Sequence, residues 1–309
     1  TNEEIKDRKI ELIKSGWLPH EALLGQKQLS EDEWLALSQH MPYMATLRNL
    51  NNFYKHNVLK NKAVTDVIAE KLGNKEAVER VKQFPYRFLT AYLEAEPVIP
   101  QTIKNALGSA LDVSTMNVPL IEGNVIVATD VSGSMGSPVS AQSRVRYVDV
   151  ASLVASVIKR KNPDTKLLAY NTMAWEVNLD ASDTVITNTN KVRALLRGGT
   201  DMSQPFKYIL DNGLAKDLTL FVGVTDNESW AGHDYGARTG CMELWRQIRK
   251  QNPTARAVLV NVAPYVTDQL KENEPGVTFV SGFSDEVFRL IDENTVGGTV
   301  EAINKTLLV

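Results

Sequence analysis

At 309 residues the chain is long enough for one large domain or two ordinary ones. Apolar residues make up 43 % of it, enough for full cores; no apolar run approaches bilayer length, and a net charge of −3 gives no global field to attract nucleic acid. Its single cysteine, Cys241, excludes an internal disulfide framework and a Cys-rich zinc site, and points to a reducing interior such as the cytoplasm.

The opening TNEEIKDRK mixes acids and bases and is not signal-like; its first residue, Thr1, implies a processed or cut start. From there to about residue 115, helix follows helix. Ile5, Ile10, Leu12 and Ile13 form the first apolar stripe. Ser30 with Glu31 and Glu33 reads as a helix start, with Trp34, Leu35 and Leu37 as its body. Pro42 opens the next helix, in which Met44, Leu47, Leu50 and Tyr54 recur at spacings of three and four. Val64, Val67, Ile68 and Leu72 mark another, closed by Gly73. Pro85 precedes Phe88, Leu89, Tyr92 and Leu93; Pro100 precedes Ile103, Ala106, Leu107, Ala110 and Leu111. Tandem helices of this length predict a bundle or α-solenoid over residues 1–118.

After residue 120 strands and helices alternate. Strands are predicted over 124–129, 165–170, 218–224, 255–262 and 277–280, with helices over 145–161, 235–251 and 285–292. Strands separated by helices mean crossover connections. Residues 119–309 therefore read as an α/β domain, a doubly wound and mostly parallel sheet with helices on both faces. Ligands of such sheets sit beyond the carboxyl ends of the strands.

Three loops stand at those ends. VIVATDVSGSMGS, residues 125–137, places Asp130, Ser132 and Ser134 after the first strand. GGTD, residues 198–201, places Thr200 in a glycine-rich loop. VTDNES, residues 224–229, places Asp226 after another buried strand. Together they offer two carboxylates and three hydroxyls, all hard oxygen donors, a set that suits Mg²⁺ or a similar hard divalent cation. With few carboxylates the ion stays under-neutralised and attracts an acidic group from a partner. One alternative is a plain turn whose serines cap a helix. A phosphate cradle lacks its Gly-Lys-Ser/Thr continuation. A serine hydrolase ordered Ser134, Asp226, His233 would need a glycine where Ser132 stands. The expectation is a binding protein rather than an enzyme.

DVSGSM, GGTD and VTDN resemble the metal-ion-dependent adhesion site of the von Willebrand factor A family. That resemblance implies direct or water-mediated metal binding by Asp130, Ser132, Ser134, Thr200 and Asp226. MPYMATLRNLNNF, residues 41–53, resembles a segment of the Ro/TROVE module, which joins HEAT-like helical repeats to an A domain; GFSDEVFRLID, residues 282–292, is similar to that module's end. The resemblance spans nearly the whole chain. It implies binding of small structured non-coding RNAs (Y RNAs) and single-stranded RNA ends, a place in RNA quality control, an exoribonuclease partner and no membrane association. About 115 residues precede the sheet, too few for solenoid repeats of ~40 residues to close a ring. The expectation is a fragment, a short form, or a ring of several chains.

The residues themselves support RNA contact at one place. Between Ala36 and Val64 there is no acidic residue, while Arg48, Lys55, Lys60 and Lys62 are cationic and Asn51, Asn52, Tyr54 and His56 lie among them. Cations neutralise phosphates and polar neighbours reach sugars and bases; a solvated helix face is the alternative. Arg48, Lys55, His56, Lys60 and Lys62 are the RNA candidates. Phe53 and Tyr54 are expected in the core.

Overall fold

A computed structural model describes residues 2–24, 29–95, 99–226, 237–263, 274–282 and 286–295. The chain divides into two compact units, Thr1–Asn117 and Val118–Val309.

The first unit is helical: α1 (Asn2–Lys14), α2 (His20–Leu24), α3 (Glu31–His40), α4 (Tyr43–Arg48), α5 (Leu50–Lys55), α6 (Lys62–Gly73), α7 (Lys75–Val81), α8 (Pro85–Glu94) and α9 (Gln101–Ser114). Local chemistry sets their starts. Ser30 accepts from the Glu33 amide while Glu33 returns a carboxylate to the Ser30 amide, a full capping box. Asn61 and Asn74 cap α6 and α7 with their side chains. The Lys71 ammonium donates to the carbonyls of Ser38, Gln39 and Met41 and so closes the C-terminal end of α3; burial pulls its pKa down.

The unit's core is the seam between α6, α8 and α9. Ile68, Leu72, Phe88, Ile103, Leu107 and Leu111 are completely buried there, and on α9 they recur at the spacing of one helical face. Phe53 is also fully buried, edge-on to Trp34 at 6.0 Å. Three residues of the expected apolar stripes are exposed: Ile5 at 68 %, Tyr54 at 48 % and Val67 at 41 %. Tyr54 directly follows Phe53 on a helix of six residues, so the two rings point in different directions and only one can face inward.

The second unit runs β1 (Val125–Asp130), α10 (Tyr147–Lys161), β2 (Lys166–Tyr170), β3 (Ala174–Glu176), α11 (Val185–Arg193), α12 (Ser203–Asp211), β4 (Leu220–Thr225), α13 (Ala237–Gln251), β5 (Arg256–Asn261), β6 (Val277–Ser281) and α14 (Glu286–Thr295). The strands order as β3-β2-β1-β4-β5-β6, parallel except for the short edge strand β3, which lies antiparallel on β2. Every residue of β1 and β4 is buried, as a strand with both faces covered requires. Side chains alternate. Ile126, Ala128, Leu168, Tyr170 and Phe221 pack towards α12 and α13, where Phe206 meets Phe221 at 4.7 Å and Trp245 at 6.0 Å. Helix α10 packs on β1, β2 and β4, and α14 on β4 and β5. Helices α11 and α12 and strand β3 are additions to the elements expected from the sequence.

The strand order reverses between β1 and β4, because the chain leaves β1 towards β2 and returns on the other side. Loops diverging at such a point leave a crevice at the carboxyl ends of the two strands. Asp130 ends β1 and Asp226 directly follows β4.

Phe53→Ala should cost the helical unit about 3–5 kcal/mol, the usual penalty for emptying a buried aromatic site. Denaturant unfolding measures it, and a loss under about 1 kcal/mol would mean that Phe53 is not a core anchor.

Candidate functional site

Asp130 is completely buried, and both of its carboxylate oxygens are engaged. Oδ1 accepts from the Ser132 amide at 2.8 Å; Oδ2 accepts from Thr225 Oγ1 at 2.7 Å. Each oxygen keeps a further lone pair. The first bond turns the chain sharply out of β1, and the next residues form a 3-10 turn over Gly133–Gly136. In that turn Ser132 Oγ and Ser134 Oγ lie 3.2 Å apart. Ser132 begins the turn without a side-chain capping bond, and the next helix, α10, begins at Tyr147 with Arg146 at its N-cap. The serines are therefore not helix caps, and their hydroxyls face each other.

The loop that carries Thr200 is laced onto this turn. The Gly133 amide donates to the Gly198 carbonyl at 2.8 Å, and the Arg197 amide to the Val131 carbonyl at 2.7 Å. Asn171, just past β2, donates through Nδ2 to the Arg197 carbonyl at 3.1 Å and accepts from the Asp201 amide at 2.8 Å through its own carbonyl. Gly198 has φ +80, and a Cβ there would come within 3.2 Å of Asn171 Nδ2, so only glycine fits without strain. Thr200 is thereby buried beside the turn, at 1 % exposure. Its neighbour Asp201 serves the next helix instead. The Asp201 carboxylate accepts from the Ser203 amide and hydroxyl and from Gln204, and holds the first turn of α12.

Asp226 is completely buried at the end of the neighbouring strand. Burial raises the Asp130 pKa to about 7, and the Asp226 carboxylate pushes in the same direction, against the hydrogen bonds from Ser132 and Thr225. Two like charges held out of water in one crevice are costly unless a cation answers them. Five oxygen donors, two of them carboxylate groups, suit a hard divalent cation, and nothing in the set favours a soft one. Among the described residues no group of three His, Cys, Asp or Glu side chains could hold a metal, so any metal reading depends on these hydroxyls. Burial pushes the Cys241 thiol up to about 12, which keeps it protonated at neutral pH. His233 lies outside the described residues.

Sequence reading alone missed Thr225, Asn171 and Asp149. Thr225 and Asn171 are polar residues at the ends of buried strands, a signal that was there to use. Asp149 offered none. It is fully buried on α10, accepts from the Arg146 amide, and meets the Arg146 and Arg193 guanidiniums at 3.3 and 3.1 Å. It thus ties the start of α10 to the end of α11, where the Thr200 loop begins.

In the helical unit the RNA candidates fall on successive short elements. Arg48 ends α4, Lys55 ends α5, His56 follows it, Lys60 ends the 3-10 turn Val58–Lys60, and Lys62 opens α6; all five are exposed. Lys62 forms an exposed pair with Asp66 at 2.6 Å, one helical turn on, which lowers its value as a phosphate contact. One face of His56 is covered by Trp34, stacked at 4.6 Å.

A parallel sheet whose order reverses over a buried aspartate, a DxSxS turn and a threonine loop defines a domain of the von Willebrand factor A type. The family models match in the same places, the TROVE domain over residues 17–125 and the Ro60 vWA domain over residues 124–295. The chain belongs to the Ro60 family. It is 28 % identical over 200 residues to the RNA-binding protein RO60 of Deinococcus radiodurans, an alignment covering 60 % of this chain and 37 % of that protein. It is 25 % identical to the RNA-binding protein RO60 of Caenorhabditis elegans, over 96 % of this chain and 47 % of that one. The crystal structure of the Deinococcus radiodurans RO (RSR) protein superposes with a TM-score of 0.76 at 21 % identity, over 94 % of this chain and 60 % of that one, a likeness of fold. The chain spans about half the length of these curated relatives or less.

Asp130 keeps its proton to about pH 7 in the folded, metal-free protein but loses it near 3.8 when unfolded. The unfolded chain then binds fewer protons between those values, so stability falls as pH rises from 4 to 7. In chelator, Asp130→Asn should melt above the wild type at pH 8, with the gap closing towards pH 4. Parallel melting curves of the two proteins across that range would contradict the raised pKa.

Proposed function

We propose that this chain is an RNA-binding protein of the Ro type. Its helical unit holds the backbone of small structured non-coding RNA, of the kind called Y RNA, and of RNA ends. Its A-type unit holds a divalent cation, Mg²⁺ first, through Asp130, Ser132, Ser134, Thr200 and Asp226. The chemistry such an ion supplies is an electron-poor centre that attracts an acidic group from a protein partner. An exoribonuclease is the kind of partner that a role in RNA quality control calls for.

The observation that carries the RNA half is the acid-free stretch from 36 to 64, whose cations all reach solvent within a TROVE segment. Arg48, Lys55 and Lys60 are the phosphate contacts, with Lys62 weakened by Asp66. Tyr54, exposed between them, offers a ring face to a base. The metal half is supported by the donor set and by the like-charge repulsion between Asp130 and Asp226, which a cation would relieve. A compartment that keeps Cys241 reduced, such as the cytoplasm, fits both halves.

The competing reading is a metal-dependent protein-interaction module with no RNA. The oxygen donors and the basic residues belong to different compact units, which favours it, since each unit could work alone. The absorbance ratio of the untagged, purified protein at nucleic-acid and protein wavelengths distinguishes the two.

Filter binding of RNA should weaken steeply between 50 and 200 mM salt, as counterion release from several phosphates requires. The double charge reversal Lys55→Glu/Lys60→Glu should lower affinity at least about tenfold while leaving the melting temperature unchanged. Wild-type affinity in that variant would refute the patch. Millimolar Mg²⁺ should raise the wild-type melting temperature and leave that of Asp130→Ala unmoved; equal shifts in both would remove the metal from this site.

A further inference from the structure

The helical unit contains a cavity of about 230 Å³ between α4, α5 and α8. Met44, Leu47 and Ala91 give it apolar walls, and the exposed guanidiniums of Arg48 and Arg87 stand at its rim. Thr90 lines it as well. A threonine inside a helix ordinarily returns its hydroxyl to the carbonyl one turn back. Here Oγ1 is buried and has no hydrogen-bond partner among the described residues. A buried donor left unmet is costly, so the site favours an occupant with a polar edge.

We infer that this cavity takes a single nucleobase, turned out of a single-stranded RNA whose flanking phosphates lie against Arg48 and Arg87. The inference rests on the RNA-binding reading and adds that the helical unit engages bases one at a time, in a pocket, besides holding the backbone. The volume is below the ~300–1,000 Å³ of sites for drug-sized ligands and has room for one ring system. A planar ring satisfies the apolar walls with its faces and the Thr90 hydroxyl with its edge. A free phosphate would meet apolar walls and the Glu94 carboxylate at the rim. An aliphatic side chain of a protein partner would leave Thr90 unmet and make no use of Arg48. Arg48 belongs both to this rim and to the basic stretch that follows it, so one strand could run from the pocket along the cations.

The test uses the 309-residue chain and a single-stranded oligoribonucleotide, followed by fluorescence anisotropy. Ala91→Leu, which fills the cavity on a helix that tolerates leucine, should weaken binding about 10- to 100-fold, the range for losing a base contact, with the salt slope unchanged. Thr90→Val, of nearly the same shape, should weaken it less. An abasic sugar walked through the oligonucleotide should, at one position, bring the wild type down to the affinity of Ala91→Leu while leaving that variant unaffected. If the wild type binds RNA but neither Ala91→Leu nor any abasic position changes its affinity, the pocket inference is overturned and the backbone reading stands. If Ala91→Leu keeps RNA and loses a protein partner instead, the occupant is a protein side chain and the inference fails. If the wild type binds no RNA even at low salt, the RNA reading fails and takes this inference with it. Should Ala91→Leu misfold by circular dichroism, Thr90→Val and the abasic series decide alone.

Discussion

Two carboxylates buried on neighbouring strands, where a parallel sheet reverses its order, are the constraint on which the second unit depends. Asp130 and Asp226 have no exposed surface, and each opposes the charge of the other. A fold accepts such a pair only if the surrounding groups are held rigidly enough to offset the cost. Thr225 and the Ser132 amide meet Asp130 from two sides, and the resulting turn brings two serine hydroxyls together. The sheet supplies the stiffness: its strands are fully buried and its crevice follows from topology rather than from any loop's own preference.

What surrounds the pair is a set of ties whose purpose is position. Loop 194–201 has no regular structure, yet backbone bonds from Gly133 and Arg197 and the Asn171 side chain fix it across the β1 turn. Asp149 and its two arginines tie the start of α10 to the end of α11, from which the loop departs. These are charge-assisted bonds to a buried carboxylate, stronger than exposed ones and intolerant of losing one partner. Hydroxyls are weak donors, and such a set suits an ion only because its members cannot move apart.

The helical unit follows the opposite logic. Its short helices are held by caps and an apolar seam, and its cations lie on the outside, where screening makes each worth little by itself. In the proposed role their value would be collective, for a polyanion that meets several at once. The exposed Tyr54 and the cavity under α8 add flat and apolar surface beside the charges. In the proposed RNA-binding role, charge would hold a strand anywhere along it, while ring faces and a pocket would hold it in one register.

Much of the architecture was legible in the chain itself. The Ser30–Glu33 box, the prolines at 42, 85 and 100, and the apolar runs of β1 and β4 are local signals, and local energetics decide them. The types and order of the oxygen donors were legible too, since three strand-end loops in sequence carry them. Helices α11 and α12 and strand β3 were not legible: β3 has only three residues, none of them buried, and α11 is mostly polar, so neither has a periodicity to read. Tyr54 shows the limit on the helical side, because an apolar residue at the right spacing still stays outside when its neighbour Phe53 takes the core position. The sequence by itself determined which elements form and which oxygens stand at their ends. Only the tertiary structure decided that Thr225, 95 residues from Asp130, would answer its buried carboxylate, and that Asp149 would anchor the loops. Those bonds depend on strand order and register, which arise when distant segments pack and leave no periodic trace in the chain.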